Sequence, residues 1–229
     1  MRRLLLVALV ASSSEAQTSR SDPTDLQAWY GGSLRLDLPN RWRASAEYRL
    51  RMVDNAQQVR GSYVTLGASR RVAGPLRLLS SYRLAMVDDG TFHRLAAGAE
   101  AEREMGALTL GLRGLVQYQK QNFTDNDETS SDEDTFVRAR LEVSRRLSGR
   151  VDLYASSEPY LALGADHVVD NWRNTVGTKL ELAKGRKLNL FYIYRPDYAK
   201  ATYNRTFHVI GVDLDWTVKV GGGKAATPR

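Results

Sequence analysis

The chain has 229 residues, 42% hydrophobic and 26% charged, so composition alone fits one ordinary globular domain. It holds no cysteine, which excludes disulfide frameworks, thiolate zinc sites and a cysteine-linked lipid anchor. The formal charge of +7 would admit nucleic acid as a partner, but the charges alternate with apolar residues and form no patch or tail.

The first sixteen residues read as a secretory signal: Arg2 and Arg3, the apolar run Leu4 to Ala11, then Ser14-Glu15-Ala16. The apolar run is too short to cross a bilayer as a helix, which takes roughly 20 residues. Cleavage after Ala16 would leave 31 basic against 25 acidic residues, or +6. Export also carries the chain away from nucleic acid, so no nucleic-acid partner is expected.

Beyond the signal the dominant pattern has period two. A weakly alternating segment runs from 25 to 38 and contains Trp29 and Tyr30. After Pro39-Asn40 the alternation is strict, with Trp42, Ala44, Ala46, Tyr48, Leu50 and Met52 on one parity and Arg43, Ser45, Glu47, Arg49 and Arg51 on the other. Successive strand side chains point to opposite faces, so this strand has one apolar and one charged face. Weaker versions follow at 61–72, 75–86 and 92–104. Leu108, Leu110, Leu112, Gly114, Val116 and Tyr118 then alternate with Thr109, Gly111, Arg113, Leu115, Gln117 and Gln119. Further segments lie at 135–147, 150–163, 171–183 and 187–198. In a final segment, 207–218, His208, Ile210, Val212, Leu214, Trp216 and Val218 oppose Phe207, Val209, Gly211, Asp213, Asp215 and Thr217. Nothing between these segments calls for a helix.

Tight turns are expected at Pro39-Asn40, Ala73-Gly74, Met105-Gly106, Ser148-Gly149 and Lys184-Gly185, where Gly, Asn or Pro suits a reversal of the backbone. Longer polar links are expected between them, near 53–60, 87–91, 120–134, 164–170 and 198–205. Short turns alternating with long links, strands of 10 to 14 residues, and aromatic residues near strand ends (Trp29, Tyr30, Trp42, Tyr118, Trp172, Trp216) are the layout of an outer-membrane barrel. The fold class is therefore all-β: an antiparallel, up-and-down transmembrane β-barrel of about 10–12 strands over residues 17–220, with a flexible tail at 221–229. Eleven segments are counted, whereas single-chain bacterial barrels close with an even number, so one segment is miscounted or the parity is unusual. Residues 17–25 would add a short strand or a luminal element, and both terminal regions are expected on the periplasmic side. A soluble periplasmic ligand-binding barrel is the alternative, and it requires the apolar parity to face inward.

Trp29 opening the first strand, the short turn leading to Trp42, Glu47-Tyr48-Arg49-Leu50-Arg51, and the final strand with His208-Val209-Ile210-Gly211 together resemble the DUF2490 family. That family is uncharacterised and looks like outer-membrane β-barrels of Gram-negative bacteria. The resemblance spans most of the mature chain and implies a fold and a compartment, the cell outer membrane, with no activity or catalytic residues to transfer. One departure is the end of the chain, where Trp216 is followed by a polar tail through Gly221-Gly222-Gly223 to Arg229 in place of a terminal aromatic.

With the polar parity turned inward, the lumen-facing charged candidates are Arg43, Glu47, Arg49, Arg51, Glu100, Glu102, Arg113, Arg138, Arg140, Glu142, Arg173, Lys179, Glu181, Arg195, Asp213 and Asp215. Arg71, Arg83, Arg94, Glu104 and Glu158 share that parity. Both signs are present, so two readings stand side by side: a structural interior of paired charges, or a narrow porin-like channel for small anionic solutes. An outer-membrane hydrolase or lipid-modifying enzyme is the third reading. Against it, His208 falls on the lipid-facing parity, His167 in a link and His93 at a strand start, and no nucleophile signature such as Gly-x-Ser-x-Gly is present. No catalytic residue, cofactor or metal site is assigned. The acidic link from Asn122 to Asp134 has carboxylates but not the Gly and Glu positions of an EF-hand, so it reads as a solvated external loop. Cations bridging it to lipopolysaccharide phosphates are the functional alternative. Expected partners are outer-membrane lipid, lipopolysaccharide and the outer-membrane assembly machinery. A lipid-facing Arg at Leu112 or Leu214 should impair insertion, while Arg at Gln117 or Thr109 should be tolerated.

Overall fold

The computed structural model describes residues 24–87, 90–122, 133–163, 169–198 and 205–220. The signal segment, most of the acidic link, His167 and the glycine-rich tail lie outside the described residues. Each alternating segment becomes a strand, in the order β1 (Thr24–Asp37), β2 (Trp42–Val53), β3 (Gln58–Ala73), β4 (Leu76–Val87), β5 (Gly90–Met105), β6 (Leu108–Asn122), β7 (Glu133–Ser148), β8 (Val151–Ala162), β9 (Val169–Ala183), β10 (Arg186–Asp197) and β11 (Arg205–Lys219). Each pairs with its chain neighbours, and β1 pairs with β11, so the sheet closes into one barrel with no free edge.

Closure departs from the strictly antiparallel expectation. An odd number of up-and-down strands leaves the first and last pointing the same way, so β1 and β11 pair in parallel, from Thr24 opposite Thr206 to Asp37 opposite Lys219. The unusual parity, and not a miscounted segment, is what the described residues contain. It also corrects the placement of the termini. Lys219 ends at the short-turn end of the barrel, whereas Thr24 enters at the opposite end, beside the β2–β3 connection, where Ala56 N donates to Leu26 O at 2.9 Å.

The five tight turns fall where the sequence places them. Gly74, Gly106 and Gly185 take φ of 46°, 66° and 75°, and a single 3-10 turn at Pro39–Arg41 joins β1 to β2 with Asn40 at φ 56°. The other end is less open than the sequence suggests. The link expected near 53–60 contracts to 54–57, because β2 and β3 pair as far as Val53 and Gln58. Likewise β4 and β5 pair as far as Val87 and Gly90.

Outward positions are almost uniformly apolar. Leu66, Leu95, Leu112, Val116, Val176 and Ile210, on five different strands, are each more than half exposed. Tyr30, Trp42, Tyr118, Trp172 and Trp216 also face outward and are exposed. The soluble alternative needed this parity inside, and the structure turns it out. Inward positions carry the charges, so the core of this protein is a lumen.

Candidate functional site

Along the lumen the side chains divide into two zones. In the short-turn half, cations pair with carboxylates on the same strand, the next strand or the next but one. Arg43 donates to Asp37 at 2.7 Å, and Lys179 to Glu142 at 3.3 Å. Arg140 also bonds Glu142, Arg77 lies 3.7 Å from Glu100, Arg35 lies 3.7 Å from Asp215, and Arg146 and Lys187 both lie 3.5 Å from Asp152. Apart from Asp37 and Arg77, these residues line a cavity of about 1190 Å³ that reaches the turn residues Gly106, Ala107 and Ser148.

The inner end of that cavity, toward the long links, is a layer of arginines and rings. Arg51 lies between Trp29 and Tyr63, 4.0 Å from each ring centroid. Tyr160 lies between Arg138 and Arg173, at 4.2 and 4.4 Å, and Arg173 is 5.9 Å from Trp29. Tyr63, Arg51, Trp29, Arg173, Tyr160 and Arg138 therefore alternate ring and guanidinium across the barrel, from β3 through β2, β1, β9 and β8 to β7. Delocalised, weakly hydrated guanidinium stacks well on aromatic faces, which lets arginines occupy a packed layer where ammonium would be costly.

Local sequence makes room for these rings. Trp29 is 1% exposed, and its indole donates to Gln27 Oε1, whose amide donates in turn to Asp25. Trp29 packs with Tyr154, Phe191, Ile193 and Val209. Phe191 is directly opposite Gly211, and Tyr154 opposite Gly177. A Cβ at Gly211 would sit 2.0 Å from the Phe191 ring, and one at Gly177 2.6 Å from the Tyr154 ring. Glycine at both positions lets an aromatic lie flat against the neighbouring strand.

The layer has few carboxylates. Glu158 accepts from both Arg113 and Arg138 at 2.9 Å. Asp213 accepts at 2.8 Å from Arg49, which also faces the Trp29 and Phe191 rings at 5.5 and 5.8 Å. Glu47 lies 3.4 Å from Arg49 and 3.9 Å from Arg83. Arg94 donates to the Gln119 side-chain carbonyl, and Arg138 also donates to Gln117 Oε1 at 2.8 Å. Among the described residues, Arg51, Arg94 and Arg173 have no carboxylate within ion-pairing distance, and Arg51 and Arg173 donate no hydrogen bond to a side chain.

Of the sixteen candidates, all but Glu181 and Arg195 line the cavity. Glu181 pairs in register with Lys187 at the short-turn rim, and Arg195 stacks on Phe207 at 4.2 Å on the far side of the layer. Trp29 is a correction: it belongs to the lumen and not to an interfacial girdle. Trp29 and Tyr30 are neighbours on one strand and cannot share a face, and Trp29 has the parity of Gln27, Ser33 and Arg35. The stacking rings Tyr63, Tyr160 and Phe191, and the buried Gln117, were missed by a reading that followed charge. The available signal was their parity, since Tyr160 lies two residues from Glu158 and Phe191 two from Asn189.

Both described histidines are turned away from the lumen. Tyr82 Oη and His93 Nδ1 are 2.8 Å apart, and Tyr192 Oη and His208 Nδ1 are 2.6 Å apart, each pair on the outer face. No histidine-based triad is assembled among the described residues, and no group of three His, Asp or Glu residues there could hold a metal ion.

The family described as protein of unknown function (DUF2490) matches residues 26–206. The chain belongs to that family. The matched region runs from β1 into the start of β11 and contains every arginine of the layer. No curated protein matches the sequence. Among solved structures, the NanC porin in a rhombohedral crystal form is similar over 74% of this chain and 86% of its own, with 13% identity and a TM-score of 0.49. An anion-selective porin from Comamonas acidovorans is similar over 75% of this chain, with 16% identity and a TM-score of 0.38. The aligned part is 52% of that porin's length.

Proposed function

We propose that this protein is an outer-membrane barrel whose lumen is a narrow anion-selecting channel, with the arginine–aromatic layer as its constriction. Insertion is supported by the continuous apolar outer face, which is far larger than the few hundred Å² that a soluble monomer exposes. Strands of 12 to 16 residues exceed the 9–11 that a tilted strand needs to span a bilayer. In this reading residues 1–16 direct export and are removed, the short turns face the periplasm, and the longer links face outward.

The observation that carries selectivity is the charge imbalance of the layer. Arg51, Arg94 and Arg173 face the inner end of the cavity without a carboxylate of their own, so a cation arriving there meets uncompensated positive charge and an anion meets free donors. The paired wall nearer the short turns gives little net preference. A filled, structural barrel is the second reading, and it draws on the near-complete burial of Trp29, Gln117 and Val209.

The test is planar-bilayer recording of the refolded mature protein across a salt gradient. A reversal potential of the sign that marks anion preference supports the channel. Cation preference overturns it, and heat-modifiable, inserted protein without conductance favours the filled barrel.

A further inference from the structure

We infer that the outer wall of the barrel carries a site for a single glycerophospholipid, with its phosphate on Arg145 and one acyl chain in an oblique groove that runs from β7 to β11. The inference rests on the reading that the outer face meets lipid, and deepens it from a uniform belt to one ordered lipid.

The outer wall is not smooth here. A groove of about 770 Å³ crosses five strands, and Arg145, Leu153, Thr178, Leu190 and Val212 line it as one row of register partners on β7, β8, β9, β10 and β11. Ala155 is the smallest outward side chain along it, so a larger residue there would occupy the groove. The row climbs as it crosses the strands. Arg145 lies three residues from Ser148 at the end of β7, Thr178 five from Ala183 at the end of β9, and Val212 seven from Lys219 at the end of β11. Four strand spacings of about 4.8 Å make the row about 19 Å long. At a strand tilt of about 40° it rises about 12 Å. The hydrocarbon of one leaflet is about 15 Å deep. A chain anchored at Arg145 therefore follows the groove from the rim toward the bilayer centre, as an acyl chain does.

Charge identifies the occupant. Arg145 is the one charged residue that lines the groove, it is exposed, and its side chain has no partner among the described residues. Around it the outward positions of the short-turn half hold further arginines, Arg70, Arg103 and Arg186, and no carboxylate, because Glu102, Glu142, Asp152 and Glu181 all have the inward parity. A phosphate therefore meets no like charge, and guanidinium matches its oxygens in two parallel hydrogen bonds. A second copy of this chain fits less well, since a two-fold contact would bring Arg145 against the same carboxylate-free face.

Dioleoyl phosphatidylglycerol is the probe, with dioleoylglycerol and inorganic phosphate as its chain-only and charge-only counterparts, all at equal ionic strength. Full-length mature protein refolded in a neutral detergent is titrated and read by native mass spectrometry, which counts both lipids and protomers. Each protomer should retain a single phosphatidylglycerol, dioleoylglycerol should bind at least about tenfold more weakly, and inorganic phosphate should not displace the lipid. Arg145→Gln should weaken retention by roughly tenfold, and Arg145→Lys, which keeps the charge and loses the fork, by less. Ala155→Phe, which fills the groove and leaves the charge alone, should also weaken it by roughly tenfold. Arg70→Gln, on β3 and outside the groove, should leave it unchanged. Heat-modifiable migration identifies folded variants, and Thr178→Phe serves if Ala155→Phe does not fold.

No retained lipid overturns the inference, as does undiminished retention by Arg145→Gln or by the groove-filling variant. Dioleoylglycerol as tight as phosphatidylglycerol removes the role of Arg145, and displacement by inorganic phosphate removes the role of the groove; either result overturns it. An equal loss with Arg70→Gln would show diffuse attraction to a basic rim, and a dimer that excludes the lipid would assign the groove to a second copy. Protein that folds into phosphatidylcholine vesicles but retains no phosphatidylglycerol would refute this site and leave the membrane reading standing. Failure to fold into vesicles would sink both.

Discussion

The two halves of the lumen use the same residue type in opposite ways. Near the short turns an arginine has a carboxylate on the next strand, as Arg43 has Asp37 and Arg146 has Asp152, and the space between the walls stays open. At the inner layer the arginines have rings instead, and the space is nearly filled: Trp29 and Gln117 are each 1% exposed. Pairing cancels charge and yields a wall. Stacking keeps charge available while removing conformational freedom, which is what a recognition element needs.

The largest expected effect follows from the one carboxylate at the heart of the layer. Glu158→Gln leaves Arg113 and Arg138 without their shared partner, and should cost about 3–5 kcal/mol in urea unfolding from lipid vesicles. A loss under about 1 kcal/mol would mean that the layer tolerates bare charge and that its geometry does not depend on Glu158. A charge on the outside should behave unlike either half: Leu112→Arg should cost about 2–4 kcal/mol in the same experiment if its face meets lipid.

A sharper comparison lies on a single strand. Thr109 and Gln117 share the inward parity of β6, but Thr109 borders the open cavity and Gln117 is packed in the layer. Thr109→Arg should change stability by no more than about 0.5 kcal/mol. Gln117→Arg should cost about 1–3 kcal/mol from overpacking alone. This revises the expectation from sequence that both would be tolerated. Equal costs would show that the two halves are equally filled. The smallest effect is expected from Asp152→Asn, whose partners Arg146 and Lys187 are both partly exposed, at about 0–1 kcal/mol with selectivity unchanged.

The strands and their faces were legible because a period of two survives any amount of charge, and because Trp42 to Met52 and Phe207 to Val218 alternate without a break. Strand number was legible too, while the way an odd number closes was not: pairing of β1 with β11 joins residues 182 apart, such as Ser33 and Asp215, and leaves no local mark. The candidate site was half legible. Inward charges followed from parity, but which of them pair depends on side chains reaching across non-adjacent strands, as Arg113 on β6 reaches Glu158 on β8. The aromatic half was hidden because a tryptophan early in a segment, as Trp29 is, is ordinarily read as interfacial, and Tyr160 carries no charge to mark it as luminal. Only their parity relative to neighbouring polar residues distinguishes them.

The measurement that tests this account most directly is the reversal potential, across a salt gradient, of unmodified protein beside two double variants. One removes the stacked arginines, Arg51→Gln with Arg173→Gln, and the other removes the paired ones, Arg35→Gln with Arg43→Gln. The account predicts anion preference in the unmodified barrel, its collapse toward no preference in the stacked pair, and little change in the paired one. The reverse order, or equal shifts in both, would contradict it.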